Sequence, residues 1–251
     1  MRILLSPSET KSVGGPGGPL DIANLSLPSL TETRRTVAEH LVEMCGDDPA
    51  AARAALGLSE KLSAEVDLNA DLFTAPTAPA LTRYTGVLYD ALDAEGMTDA
   101  QRARAGGRLW IGSALFGLVA ADDLIPHYRL SAGSKLPGLG TLRSLWRPAL
   151  AGAVGDWDES LVLDLRSGGY HQLGPVPGAI TVDVVTEFPD GSRKVVSHFS
   201  KHYKGLLART LATSRATIDD LTALLRVTRR AGHVLERSDD RSLTMVTPGG
   251  R

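Results

Sequence analysis

The spacing of apolar positions changes character several times along the chain, and each change predicts an element. Residues 1–5 are apolar except for Arg2 and are closed by Ser6-Pro7, the pattern of a short buried strand. Residues 12–20 carry GGPGGP and little that can pack, which predicts a flexible surface loop. Over 31–45, Val37, Leu41 and Met44 recur at helical spacing, with Thr31 as the expected N-cap and Gly46 as the stop. Two further short helices are expected over 50–56 and 59–68, before Pro76 and Pro79 interrupt the pattern. A helix over 84–92 would place Tyr84, Leu88 and Leu92 on one face. Thr98 and Gln101 stand three apart, as in a capping box, before a short helix that ends at Gly106-Gly107.

The second half reads as strands alternating with helices. Residues 109–118 are apolar with small residues, the mark of a buried strand or of a closely packed strand and turn. LVLDL at 161–165 is a second strand. The β-branched runs 180–188 and 192–199 flank Pro189-Asp190-Gly191 and predict a hairpin. Residues 201–213 form an amphipathic helix with Leu206, Leu207, Thr210 and Leu211 inward. Thr217 is the expected cap of a helix over 218–231 that Gly232 stops, and strands at 233–237 and 242–247 close the chain. No repeat, heptad or dividing linker interrupts the series. The expectation is therefore one mixed α/β domain over 1–251, with a central mixed sheet flanked by helices.

Composition narrows the class. Apolar residues at 43% and charged residues at 22% lie near the globular average, which argues against disorder. The single cysteine, Cys45, is expected half-buried in a helix and excludes an intramolecular disulfide framework or a Cys-rich metal site. No apolar run reaches the length of a secretory signal or a membrane span, so a cytoplasmic chain with no membrane partner is expected. The net charge of −2 conceals a gradient: residues 1–100 hold 7 Lys/Arg against 15 Asp/Glu, 101–191 hold 8 against 9, and 192–251 hold 12 against 5. The two ends either neutralise each other in the fold or leave a basic face or cleft for an anion.

The loops after the predicted strands share one chemical type. Lys11 with Ser6, Ser8 and Thr10 follows the first strand; Tyr128 and Arg129 follow the central apolar segment; Arg166, Ser167 and Tyr170 follow the strand at 161–165. Lys201, Lys204 and Arg209 open the helix that leaves the hairpin. If these loops meet at one sheet edge, their cations, hydroxyls and glycine amides suit phosphate or another oxyanion. The plain alternative is a scatter of separate surface charges. In such a cleft Lys11, Tyr128, Arg129 and Tyr170 are the candidate catalytic groups, and Ser6 or Ser167 could orient a ligand.

Three further patterns have weaker chemical content. The turn Leu136-Pro-Gly-Leu-Gly140 resembles the hairpin of helix-hairpin-helix DNA-binding elements, with Gly138, Gly140 and Arg143 as candidate DNA contacts, although the segment 129–135 is a poor first helix. His198 and His202 are four apart but straddle the expected strand-to-helix junction and lack a third ligand, so no metal is expected. Asp122-Asp123 fits a turn or cap better than a catalytic pair. No phosphate-loop, nucleophile-elbow or dinucleotide motif is present, and no cofactor is expected.

Taken in series, MRILLSPSETK, YTGVLYDAL, SALFGLV with DDLIPHYRLSAG, LRSLW, DLRSGGY and HFSKHYKGLLAR resemble the YaaA family of peroxide stress proteins over nearly the whole chain. The resemblance implies a single-domain α/β fold, a role in limiting damage from hydrogen peroxide and unincorporated iron, and DNA binding through a helix-hairpin-helix-like element and a basic cleft. The positions it carries over are Ser6, Lys11, Gly86, Tyr89, Gly117, Tyr128, Arg129, Trp146, Ser167, Tyr170, Lys201, Gly205 and Arg209. Lys204 stands where the family has arginine, which keeps the charge and loses the bidentate fork. The family's Asn-Leu-Ala-Ser-x-Glu-Tyr reads Asp164-Leu-Arg-Ser-Gly-Gly-Tyr170 here, so the family's glutamate is missing and one arginine is gained. Two functions stay open: a stress protein that binds DNA, and a specialised enzyme acting on an anionic, nucleotide- or nucleobase-like small molecule in a cleft of Lys11, Arg129, Arg166 and Lys201. Direct iron binding is disfavoured by the lack of clustered ligands.

Overall fold

The computed structural model describes residues 1–157, 161–195 and 197–248. Strand β1 (Arg2–Leu5) leads into a helical layer of α1 (Thr31–Asp47), α2 (Pro49–Ala55) and α3 (Ala64–Ala70). Next come β2 (Thr77–Pro79), α4 (Ala80–Arg83), α5 (Val87–Leu92) and α6 (Asp99–Gly106). The middle of the chain forms β3 (Leu109–Ser113), β4 (Gly117–Ala120), β5 (Leu124–Pro126), β6 (Lys135–Leu136), β7 (Gly140–Thr141) and α7 (Leu142–Ala153). The last third runs β8 (Val162–Asp164), α8 (Gly168–Leu173), β9 (Ile180–Glu187), β10 (Arg193–Lys194), α9 (Ser197–Thr213), α10 (Leu221–Arg230), β11 (Val234–Asp239) and β12 (Ser242–Pro248).

The main sheet has the order β11-β12-β9-β8-β1-β3-β4, with β10 on the free end of β9. Its five middle strands, β12 through β3, are parallel, and β11, β4 and β10 are antiparallel additions. The mixed α/β architecture is therefore as the pattern of apolar runs predicts. β1 is covered on both faces, so Ile3, Leu4 and Leu5 are all fully buried, the continuous apolar run of a central parallel strand. β9 has one wet face and alternates accordingly. The chain leaves β1 for β3 on one side and leaves β8 for β9 on the other. This opens a crevice at the carboxyl ends of β1 and β8, where open α/β sheets bind ligands.

The apolar stretch 109–118 is a strand, a turn and a second strand. Ser113 Oγ accepts from the backbone N–H of Leu115 and Phe116 to form the turn. Gly117, at φ +73, lies against the ring of Trp146, where a Cβ would come within 2.7 Å of it. The Trp146 indole donates to Ala114 O at 2.8 Å, so α7 is fastened to the turn between β3 and β4. Arg34 reaches from α1 to the carbonyls of Phe116 and Leu118 at 3.0 and 2.7 Å.

Several boundaries differ from expectation for identifiable reasons. Thr31 lies inside the first turn of α1 and makes no side-chain cap, and the helix runs past Gly46 to Asp47 because Asp48 caps the next helix. The predicted helix over 84–92 begins only at Val87: Tyr84 pairs as a bridge with Lys11, and Gly86 at φ +94 breaks the helical path. The hairpin's second strand shrinks from 192–199 to Arg193–Lys194. β8 occupies the start of that edge of β9, and residues from Ser197 onward are in α9. Asp220, not Thr217, caps α10, accepting from Ala223 N, while Gly232 at φ +84 does end it. Cys45 is buried rather than half-buried. The capping box of Thr98 and Gln101 is present as read. The Gly/Pro-rich segment 12–20 is irregular but tied down: Gly17 N donates to Thr77 O at 2.9 Å, and Arg83 donates to the carbonyls of Ser12 and Gly14. Among the described residues, no helix is long and apolar enough to cross a membrane.

Candidate functional site

The loop after β1 and the loop after β8 meet directly. Ser6 Oγ accepts from Ser167 N at 2.6 Å, and Ser6 O accepts from the Tyr89 hydroxyl at 2.8 Å, so one serine ties β1 to α8 and α5. Thr10 continues the seam to the start of α5: Thr85 N donates to Thr10 O at 3.2 Å, and Thr85 Oγ1 to Thr10 Oγ1 at 3.1 Å. Gly86 adopts its left-handed φ close above the hydroxyls of Ser8 and Thr10. Across from these loops, α9 lies against α5 at Gly205, where a Cβ would sit 2.2 Å from Leu88 O; only a glycine permits that approach. The close packing brings Lys201 and Lys204, four and one residues earlier on α9, to the crevice.

The result is a cavity of about 480 Å³ with the hydroxyls of Ser6, Ser8, Thr10, Thr85 and Ser167 on its wall. Leu88, Leu165, Tyr89 and Tyr170 supply apolar surface. Lys201 and Lys204 line it on the α9 side, and neither has a hydrogen-bond or ion-pair partner among the described residues. Burial lowers the Lys204 pKa, opposed by the nearby carboxylates of Asp183 and Asp164. Burial also raises the Tyr170 phenol, so at ordinary pH it is a hydrogen-bond donor and not a base. Ammonium groups facing hydroxyls and aromatic surface suit an anion carried on a small, partly apolar molecule.

Lys11 lies behind this wall. It is buried, its Nζ donates to Ser8 O at 3.0 Å, and it sits over the Tyr128 ring at 4.2 Å and the Tyr84 ring at 5.4 Å. Burial pushes its pKa down to about 8. Tyr128 is fully internal and bonds to Tyr84 Oη at 2.7 Å and to Ser113 Oγ at 2.8 Å, and burial raises its pKa well above the ordinary value. These two groups hold the loop from beneath and do not line the cavity.

Other expected members are engaged elsewhere. Arg166 is buried in an ion pair with Asp164: Nε to Oδ1 at 2.9 Å and Nη2 to Oδ2 at 2.7 Å, with Nη2 also donating to Gly174 O at 3.0 Å. His171 Nδ1 lies 3.0 Å from Asp164 Oδ2. Burial would raise the Asp164 carboxyl, but hydrogen bonds from His171 and Arg166 outweigh it and hold the group well below the usual carboxylate range. Arg209 donates to Leu92 O, Asp93 O and Gly96 O and pairs with Asp93 at 3.1 Å, closing the end of α5. Arg129 opens onto a different, smaller cavity. The proposed cleft of Lys11, Arg129, Arg166 and Lys201 is therefore corrected: of its four cations, Lys201 alone lines the large cavity. Glu9, Thr85 and Ser200 also line it and were not singled out from sequence. Glu9 was legible only as a member of the loop after β1, and Thr85 only as the residue before Gly86.

The Gly-rich turn forms a two-stranded hairpin, β6 with β7, in which Gly138 and Gly140 take φ +84 and +81. No helix precedes it over 129–134, so the first helix of a helix-hairpin-helix is absent there; Gly133 and the serines of that segment favour turns. The α7 end is capped internally by Thr141, which accepts from Ser144 N, and Arg143 is exposed. His198 and His202 fall in one helix, α9, and not across a junction; the His198 side chain lies outside the described residues. Asp123 accepts from Ser26 and Ala120 N as a turn residue, and Asp122 pairs with Arg102.

A family model described as peroxide stress protein YaaA matches residues 1–236. A UPF0246 protein of Corynebacterium efficiens is 50% identical over 250 residues, covering 98% of this chain and 99% of that protein. Another of Corynebacterium glutamicum is 48% identical with the same coverage. One of Streptomyces coelicolor is 43% identical over 242 residues, covering 94% of this chain and 92% of that protein.

Proposed function

The chain belongs to the YaaA family of peroxide stress proteins, and we propose that it serves that response by binding an anionic, nucleotide- or nucleobase-like small molecule in the cavity at the ends of β1 and β8. One observation carries the proposal: Lys201 and Lys204 line an open, hydroxyl-walled cavity without a hydrogen-bond or ion-pair partner among the described residues. Lys204 is part-buried and its ammonium carries a burial penalty that an arriving anion would offset, while Lys201 is exposed beside it and adds a second positive charge. The hydroxyls of Ser6, Ser8, Thr10, Thr85 and Ser167 are placed to complete a phosphate or carboxylate shell, and Tyr170 and Tyr89 to cover a ring. If a reaction follows binding, Tyr170 is positioned as the donor of a hydrogen bond to the ligand. A thermal-shift screen of nucleotides and phosphorylated metabolites tests this, because any ligand that binds the native state alone raises its melting temperature. Stabilisation by a member of that class, lost in the variant Lys201→Gln/Lys204→Gln, is expected; a flat screen removes the proposal.

A second reading, DNA binding, is favoured by a different observation. Arg226, Arg229 and Arg230 are exposed along one face of α10, and Arg143 is exposed at the start of α7. That reading predicts affinity for duplex DNA that falls steeply between low and high salt, as phosphate contacts release counterions. Binding indifferent to salt, or none at low salt, defeats it.

A further inference from the structure

The large cavity shares a wall residue, Glu9, with a second cavity of about 170 Å³. On its far side the smaller cavity is lined by Arg129, Ser131, Ser134, Leu56 and Gly57. We propose that this smaller cavity is a second anion subsite, taking a carboxylate or phosphoryl group, and that the Glu9 carboxylate is the resident counter-ion which an entering anion displaces. The inference rests on the large cavity being the ligand site, since the entering group is then a second charged group of the molecule held there.

Four features separate Arg129 from a plain surface ion pair. Its side chain is only 19% exposed, against 46% for Glu9. Its hydrogen bonds are few: Nη1 donates to Glu9 O at 3.0 Å, Nη2 approaches Glu9 Oε2 at a loose 3.3 Å, and Nε has no partner among the described residues. A guanidinium offers five N–H donors in a fork shaped for two parallel bonds to a carboxylate or phosphate. Arg83, which is fully buried, shows the contrast, since its three nitrogens reach the carbonyls of Ile125, Ser12, Gly14 and Pro76. Next, the hydroxyls of Ser131 and Ser134 bond to each other at 3.0 Å at the cavity wall, leaving one hydroxyl proton for a ligand. Finally, the local charge is uneven: the Lys11 ammonium is attracted by Glu9 and Glu65 and repelled by Arg129 and Arg83, and Glu65 is already engaged by His127 at 2.8 Å, so three cations share two carboxylates.

The displacement needs no backbone rearrangement. Lys11 and Arg129 hold the loop through the carbonyls of Ser8 and Glu9, so the Glu9 carboxylate can swing out while the backbone stays fastened. Arg129 itself is fixed at its backbone, where its N–H donates to Asn69 Oδ1 at 2.8 Å and its carbonyl accepts from Asn69 Nδ2 at 2.9 Å.

Calorimetric titration of inorganic phosphate and of tripolyphosphate into the full chain tests the proposal, using wild type, Glu9→Gln, Arg129→Gln, the double variant of both, and Lys201→Gln/Lys204→Gln. Glu9→Gln is expected to tighten anion binding about tenfold, and Arg129→Gln to abolish that gain in either background. A gain confined to tripolyphosphate and lost in the lysine variant assigns the subsite to a second group of one ligand. An equal gain for phosphate, kept in the lysine variant, assigns it to a free inorganic anion. If binding is lost in the lysine variant but indifferent to Glu9→Gln and Arg129→Gln, the subsite is overturned and the large cavity stands. If Glu9 and Arg129 matter and the lysines do not, the reverse holds. No binding by either probe overturns both.

Discussion

The loop that follows β8 and the cavity beside it hold cations of the same nominal kind in opposite circumstances. Arg166 is sealed into a buried pair with Asp164, braced by His171 and by Gly174 O. Lys201 and Lys204, on α9 across the crevice, line open space without a partner among the described residues. Arg209 falls with the first group, since its donors end on the carbonyls that close α5. The difference teaches that charge at a strand end is not in itself a binding signal. What marks a ligand site is a cation whose donors the fold leaves unused beside a cavity.

The contrast is broken most forcefully at Arg166. Replacing it by Ala leaves the Asp164 carboxylate buried without its main partner and is expected to cost about 3–5 kcal/mol of stability, measured by urea unfolding. A cost below about 1 kcal/mol would mean that the pair is solvated and that Arg166 belongs with the cavity cations after all.

Lys11 sharpens the comparison because it is buried yet does not line the large cavity. Its folded pKa of about 8 lies below the ordinary 10.5. The burial penalty on its ammonium is therefore fully present below pH 8 and is relieved as pH rises from about 8 to 10.5, where the unfolded chain binds more protons than the folded one. Wild-type stability relative to Lys11→Met should accordingly improve over that window, by up to roughly 3 kcal/mol. A difference that stays flat in denaturant titrations at pH 7 through 10.5 would place the ammonium in contact with water.

Arg209→Ala comes next. It removes the hydrogen bonds that close α5 and is expected to destabilise by about 1–3 kcal/mol in thermal unfolding. Smallest of all should be the stability effect of Lys201→Gln and Lys204→Gln, each within about 0.5 kcal/mol of wild type. A large loss at either lysine would move it into the structural group.

Much of this fold could be read from the residues. The buried strand at Ile3–Leu5, the Thr98–Gln101 capping box and the Gly232 stop all follow from local pattern, because each depends on neighbours within one turn or one strand. The meeting of the loops after β1 and β8 was one of two readings that strand-end placement left open, and the bond from Ser167 N to Ser6 Oγ decides it. What could not be read was which cations the fold would neutralise. Arg209 and Arg129 find their partners at Leu92, Asp93 and Glu9, more than a hundred residues away, and most of those partners are carbonyls, which every residue carries. Arg166 is the exception: Asp164 stands two residues earlier in an extended segment, and that spacing puts both side chains on one face. The helix misread at Tyr84 has a similar cause, since the bridge to Lys11 that holds it extended is a long-range pairing.

The claim that the β1–β8 cavity is an anion site is tested most directly by titrating ADP into the wild-type chain and into Lys201→Gln/Lys204→Gln by calorimetry at constant ionic strength. Saturable binding that weakens at least about tenfold in the variant, with melting temperature unchanged, is the predicted result. Equal affinity in both proteins, or no binding to the wild type, would contradict it.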